Sequence, residues 1–234
     1  MLCVLANLVL GGNPAPIALS YDSKLGAQVI RVDMKSPRTR IGMILPPNFP
    51  GTDESFESMI KRSQPTAAIN GAYFSTDNLN PIGDIVSDSK VVREGRMGTA
   101  FMIDSNGKPD ILRVIRHKTY IWGGYRLVLA CGPALVLDGK VDVDWKTEGF
   151  RDPSVTGKAP RMGIGYTKEG QLVLVRLQKA VTFAGMAGVM EKLGCFEAMN
   201  LDAGASQGMY FNGKYQVRPS RKLTNVLGVW ITPE

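Results

Sequence analysis

The sequence predicts an α+β domain, mostly antiparallel or mixed β-sheet with a few helices packed against it. Three observations carry that expectation. Short apolar runs recur along the chain between turn dipeptides such as Asp88-Ser89, Asn106-Gly107, Asp138-Gly139 and Asn212-Gly213. Only two stretches repeat apolar residues at helical spacing, one opening near Thr52 and one following Thr182. The 234 residues, 44% of them hydrophobic, suffice for a substantial core without forcing a second domain. About a dozen short strands and two helices are therefore expected.

In chain order, residues 1–24 are read as an N-terminal segment and 25–234 as the domain. The opening MLCVLANLVL is too short to span a bilayer and lacks the basic region and small-residue cleavage site of a complete signal peptide. It reads as the remnant of one or as a first strand. Residues 28–34 and 41–45 read as strands flanking a polar turn, and PPNFPG (46–51) as a loop. Thr52 is a candidate cap for a helix with Asp53 and Glu54 in its first turn, Phe56, Met59 and Ile60 on one side, and an end near Ser63. TAAINGAYF (66–74) is a strand running into Asn70-Gly71. Two hairpins turn at Asp88-Ser89 and Asn106-Gly107, and further strands break at Gly132-Pro133 and turn at Asp138-Gly139. Residues 144–160 read as a surface loop of the kind that borders a site. RMGIGYTKEGQLVLVRL (161–177) is a hairpin whose outward positions are expected to include Arg161 and Arg176. Thr182 caps a helix that presents Phe183, Met186, Met190 and Leu193 on one face and stops at Gly194. Strands near 196–201, 209–211 and 225–231 close the chain.

Composition narrows the partners. Twenty-eight Lys and Arg against 21 Asp and Glu leave a net charge of +7, which favours anionic ligands. The basic residues are scattered rather than gathered with aromatics on one element, so no specific nucleic-acid binding is expected. Cys3, Cys131 and Cys195 allow at most one internal disulfide, and whether Cys131 and Cys195 pair is open. There is no long apolar run that reads as a transmembrane segment. The oligomeric state is open.

Polar chemistry concentrates in FEAMNLDAGASQGMYFNGKYQVRPSRKLTNVLGVW (196–230). An apolar run delivers Asn200 and Asp202 into small residues, and Ser206, Arg221 and Asn225 add a hydroxyl, a cation and an amide. That set suits an anionic, hydroxyl-rich ligand. Gly204-Ala205-Ser206-Gln207-Gly208 matches the G-x-S-x-G nucleophile elbow, but a hairpin follows where the elbow needs a helix, and the single histidine, His117, precedes the serine. There is no P-loop, no G-x-G-x-x-G and no compact metal-ligand cluster. No organic cofactor is expected, the metal is unknown, and a calcium ion held by carboxylates and carbonyls is left open without support.

Six blocks in order then resemble a known family. NGAYF (70–74) followed by NPIGDIVSDSKVV, GPALVLDGK (132–140), RMGIGYTKEGQLVLV (161–175), a helix ending in Leu-Gly, AMNLDAGAS (198–206) and RKLTNVLGV (221–229) are similar to the successive blocks of the phosphodiester glycosidase domain. The resemblance covers roughly residues 25–232. Asn70, Gly71, Arg161, Asn200, Asp202, Gly204, Ser206, Arg221 and Asn225 match its motif positions. Ala72 and Ala203 stand where the family usually has Gly, and Gln207 where a second Ser is common.

The resemblance implies a hydrolase that cleaves the glycosidic bond of a sugar-1-phosphodiester, releasing a sugar and a phosphate monoester from a phosphorylated glycan or glycosyl phosphate. It implies Asp202 as the catalytic carboxylate that offers an anion or a poised water to the developing oxocarbenium on the side away from the phosphate, with Asp84, or less readily Asp77, as second carboxylate. Arg161, Arg221 and Ser206 would hold the phosphate, and Asn70, Gly71, Asn200, Gly204 and Asn225 would line the substrate site. Tyr73 reads either as a ring that stacks on the sugar or as a core residue. An extracellular or cell-envelope location fits such a substrate, with the cytoplasm open because no complete signal peptide is present. The competing reading is a non-catalytic carbohydrate- or phosphate-binding module of the cell envelope.

Overall fold

The computed structural model describes residues 15–95, 97–115 and 118–233. The opening apolar run, Cys3 and His117 lie outside the described residues. Among the described residues, seventeen strands form three sheets in which every pairing is antiparallel, with three short helices against them. The first sheet runs, edge to edge, β1 (Ile17–Asp22), β2 (Ala27–Asp33), β13 (Gln171–Val181), β12 (Ala159–Tyr166), β14 (Glu197–Leu201), β10 (Ala134–Leu137) and β11 (Lys140–Val141). The second runs β16 (Lys214–Val217), β15 (Met209–Phe211), β4 (Ala67–Asn70), β17 (Val226–Ile231) and β3 (Thr39–Ile44). The third runs β6 (Lys90–Arg93), β5 (Ile85–Ser87), β9 (Tyr125–Ala130), β7 (Ala100–Asp104) and β8 (Pro109–Leu112).

One face of each sheet turns inward. Ile30, Ile164 and Met199 of the first sheet, Ile69 and Val229 of the second, and Phe101 and Leu129 of the third belong to one buried cluster. The alternation of strand side chains leaves the opposite faces to be covered separately. Helix α3 (Phe183–Lys192) covers the first sheet, burying Phe183, Met186, Ala187 and Met190 over Val173, Val175 and Ala198. Helix α1 (Phe56–Ser63) covers the second, and Trp122 packs over the outer face of the third.

Local sequence accounts for most boundaries. The hairpin turns place Asp88, Ser89, Asp138 and Asn212 at positive φ, which Asp and Asn tolerate better than branched residues. Thr182 caps α3 by accepting from the Gly185 N–H at 3.1 Å, and Gly194 at φ +84° ends it. The first helix begins later than expected. Glu54 is engaged in a backbone bridge with Leu223, so the cap is Ser55, whose Oγ accepts from the Ser58 N–H, while the Thr52 hydroxyl donates to the Pro47 carbonyl.

Among the described residues the first sheet begins at Ile17, and Tyr21 of β1 pairs with Gln28 of β2. Two other expectations are corrected. The loop at 144–160 contains a third helix, α2 (Pro153–Thr156), capped by Asp152 with Pro at its first position, and ends in the start of β12. Arg161 and Arg176 do not share an outward face. The register pairs Arg161 with Leu177 and Met162 with Arg176, so the two arginines project from opposite faces, and Arg161 is buried. Cys131 and Cys195 are both buried free thiols.

Candidate active site

The site forms where the first and second sheets meet. Strand β14 ends at Leu201 and delivers Asp202, while β4 ends at Asn70 and leads to Gly71 and Tyr73. The two chain ends are laced together. Asn70 Nδ2 donates to the Asp202 carbonyl at 2.7 Å, the Asp202 N–H donates to the Gly71 carbonyl at 3.1 Å, and Asn70 Oδ1 accepts from the Gly208 N–H at 3.1 Å. Asn225, just before β17, accepts from the Ala72 N–H at 2.6 Å and so fixes the next residue of the same loop. Gly71 permits this approach, because a Cβ there would stand 2.0 Å from Asn225 Oδ1. Asn200 donates to Tyr73 Oη at 2.9 Å and to the Leu201 carbonyl at 2.6 Å.

Asp202 is 5% exposed, and burial pushes its carboxyl above the ordinary aspartate range. Three neighbours pull the other way. Ser206 hydrogen-bonds its side chain, the Arg221 guanidinium donates to Oδ2 at 3.1 Å, and the Ala203 N–H donates to Oδ1 at 2.7 Å. Arg221 is itself positioned, with Nε donating to Ser206 Oγ at 2.7 Å and the guanidinium 4.5 Å over the Phe74 ring. Ser206 lies in the short 3₁₀ turn Gly204–Ser206 and is followed by the β15–β16 hairpin, not by the helix of a nucleophile elbow.

Asp202 and Arg221 open on a cavity of about 630 Å³. Tyr73, Phe74, Phe150, Arg151, Asp152 and Arg161 also line it, as do Ala203, Gly204 and Ala205. Arg161 is 1% exposed and has backbone carbonyls for partners: those of Val155 (2.9 Å), Val181 (3.3 Å) and Gly157, with the Phe183 ring 4.0 Å from its guanidinium. Burial lowers its pKa, and Tyr73 acts in the opposite direction. A guanidinium held by neutral carbonyls keeps its full charge for whatever enters the cavity. Burial, with Cys131 and Asp202 nearby, pushes the Tyr73 phenol well above its usual range, so it stays protonated. Because Tyr73 Oη accepts from Asn200, its own proton is available to an acceptor.

Of the residues singled out in the sequence, Asp202, Tyr73, Arg161, Gly204 and Arg221 line one cavity. Asn70, Gly71, Asn200, Ser206 and Asn225 stand behind it, holding the backbone or the side chains that do. Asp84 is not brought to this cavity. Its Oδ1 accepts from the Gly95 N–H at 2.7 Å and its Oδ2 from Trp122 Nε1 at 2.8 Å, facing a separate depression beside Trp122. Asp77 is in the exposed loop beyond the lining residues Ser75 and Thr76. The second carboxylate on the cavity is Asp152, with Arg151 beside it, both overlooked in the sequence. Asp152 caps α2, accepting from the Ser154 N–H at 2.8 Å and from its hydroxyl, and these bonds hold its carboxyl below the ordinary range. The Asp-Pro-Ser run is a cap signal that the sequence does carry. Ala203, where the family usually has Gly, has φ −144°, so its methyl borders the cavity without forcing the backbone. Among the described residues, no group of three or more His, Cys, Asp or Glu side chains is arranged to hold a metal ion.

The arrangement of sheets is shared with solved structures. A hypothetical protein from Synechocystis aligns with a TM-score of 0.67 at 15% identity over 92% of this chain, which spans 61% of that protein's length. The catalytic domain of zebrafish N-acetylglucosamine-1-phosphodiester α-N-acetylglucosaminidase, auto-inhibited by its pro-peptide, aligns with a TM-score of 0.72 at 21% identity, covering 92% of this chain and 82% of that one. A Burkholderia pseudomallei protein described as exported aligns with a TM-score of 0.66 at 15% identity, covering 87% and 73%. No curated protein matches the sequence. These alignments show a shared fold. The phosphodiester glycosidase family model matches residues 63–230, well over half of the chain, and the chain belongs to that family.

Proposed function

We propose that this protein hydrolyses the glycosidic bond of a sugar-1-phosphodiester, with Asp202 as the catalytic carboxylate. The observation that carries the reading is one cavity on which a buried acid meets Arg221 and Arg161. The bond between sugar C1 and the phosphate oxygen breaks, and the electron pair leaves with the phosphate monoester. The second pKa of such a monoester is about 6, so departure at neutral pH needs little protonation. Charge stabilisation is therefore the larger requirement. Arg161 and Arg221 supply it, each worth roughly 10²-fold or more in rate, and the Tyr73 hydroxyl adds a donor. Asp202 stabilises the positive charge developing at C1 and takes a proton from the attacking water. Asp152 takes the place expected of Asp84 as the second carboxylate of the glycosidase pair. Asn70, Asn200, Asn225, Gly71 and Ser206 act by holding Asp202, Tyr73 and Arg221 in position.

The substrate class is a phosphorylated glycan or glycosyl phosphate, in keeping with the net charge of +7. An extracellular or envelope location goes with that substrate. Among the described residues, no helix is long and apolar enough to cross a membrane.

The test is release of free sugar from a panel of glycosyl 1-phosphodiesters. Wild type is expected to produce sugar and phosphate monoester in equal amounts, while Asp202→Asn loses at least about 10²-fold in rate and binds within about threefold of wild type. Binding without release from any member of the panel would instead identify a carbohydrate- or phosphate-binding module.

A further inference from the structure

A second cluster of ligand-like groups stands apart from the catalytic cavity, at the β1 edge of the first sheet. The register aligns Tyr21 of β1 with Gln28 of β2, Gln28 with Arg176 of β13, and Arg176 with Met162 of β12, so the four side chains form one row on one face. Met162 is core, but the row then turns polar. Arg176 Nη1 donates to Gln28 Oε1 at 2.6 Å, and Gln28 Nε2 donates to Gln216 Oε1, on β16 of the second sheet, at 3.4 Å. Tyr21, at the outer end, is 66% exposed. Tyr21, Gln28 and Arg176, with Gln178 and Lys179, line a groove of about 500 Å³.

Arg176 is the informative member. Its Nε is buried and, among the described residues, has no hydrogen-bond partner. Burial holds its pKa down, and no carboxylate among the described residues offsets that effect. A desolvated guanidinium with an unmade bond is expensive to keep, and an apolar residue at this strand position would avoid the cost. An incoming anion removes both penalties at once. Beside it stand an exposed aromatic ring, which can cover the C–H face of a sugar, and amides suited to hydroxyl groups.

We propose that this groove is a second, non-catalytic binding site for an acidic saccharide, meaning a sugar ring that bears a phosphate or a carboxylate. The anion is held by Arg176 and Lys179 and the ring by Tyr21, with Gln178 on its hydroxyls. The same row continues through Met162 to Leu201, the residue before Asp202. At about 4.8 Å per strand, Arg176 lies two strands, roughly 10 Å, from the catalytic strand. The groove and the catalytic cavity share no lining residue. The site therefore binds whether or not the cavity turns over substrate.

Calorimetric titration of the intact protein with glucose 6-phosphate and, separately, with glucuronate tests this. Saturable binding is expected for at least one probe, the tighter one naming the anion. Arg176→Met is expected to weaken it at least about tenfold and Tyr21→Ala about threefold, with hydrolysis of a small glycosyl phosphodiester unchanged in both. Arg176→Met removes a half-buried charge whose Nε is unpartnered among the described residues, and should melt no lower than wild type. If it does not fold, Tyr21→Ala combined with Lys179→Ala at the exposed rim gives the same reading. Binding unaltered by these changes, or abolished entirely by Arg221→Met, overturns the proposal. Groove binding in a protein that releases no sugar would sink the catalytic reading and leave this one standing.

Discussion

Strand β14 starts at one buried carboxylate, Glu197, and runs directly into another, Asp202, and their surroundings differ in kind. Burial pushes both above the ordinary carboxylate range, and each opens on a cavity. Glu197 Oε2 accepts from the Tyr166 hydroxyl at 2.6 Å and from the Ile111 N–H at 2.9 Å, while Asp110 and Asp138 push its pKa further up. It ties β14 to β8 of the third sheet, and the nearby negative charge discourages its ionisation. Asp202 has a guanidinium at 3.1 Å, a serine hydroxyl and a backbone N–H, and its cavity holds two further arginines. The same penalty of desolvation produces a strut at one end and a poised acid at the other, and the deciding difference is the cation.

The comparison breaks most decisively at that cation. Arg221→Met is expected to lower kcat/KM by about 10² to 10³-fold and to shift the acid limb of the pH–rate profile to higher pH, because Arg221 is among the groups holding the Asp202 carboxyl down. Unchanged rates, or a limb that stays put, would mean that Arg221 only supports the fold. At the other end, Glu197→Gln should leave hydrolysis within about twofold of wild type. Its Tm at neutral pH should not fall and should rise by about 1–3 °C, because an amide oxygen can still accept from Tyr166 and Ile111 while the penalty of a buried charge near Asp110 and Asp138 is gone. Loss of activity would reverse the roles assigned to the two acids.

The smallest effect sharpens the contrast through pH. A carboxyl whose folded pKa lies above its unfolded value favours the folded state most below the unfolded pKa, and that advantage disappears as pH rises through the folded pKa. Asp202→Asn should therefore melt slightly higher than wild type at neutral pH, by about 1–3 °C, with the difference closing below about pH 4. Thermal melts across that range check the sign. A variant less stable at neutral pH would show that the bonds from Arg221, Ser206 and Ala203 outweigh desolvation.

The hairpins were legible because their turns are written in the residues themselves: Asp88, Ser89, Asp138 and Asn212 all occupy positive φ. Helix α3 was legible from Thr182 and Gly194, its cap and stop. What local sequence did not carry is pairing at a distance. Strands β2 and β3 follow one another across a short turn yet join different sheets, and nothing in the turn between them says so. The facing of Arg161 depended on the register between β12 and β13, which pairs it with Leu177 rather than placing it with Arg176. Asp84 went astray for the same reason, since its partner Trp122 is 38 positions away and reaches it only through the third sheet. Asp152 was within reach, because an aspartate before Pro153 announces a helix start. Its place on the same cavity as Asp202 depends on how the 144–160 segment folds, and no spacing encodes that.

The lacing of Asn70 to Asp202 has one further consequence. The bonds that hold Asp202 run between the ends of strands in two different sheets, with the Asp202 carbonyl on one side and the Asn70 amide on the other. Any slippage of one layer against the other would pull the acid out of register before either layer melted. On gradual heating, turnover should vanish in step with the cooperative transition or just ahead of it, leaving no warm regime in which the molecule stays active after its layers have begun to separate.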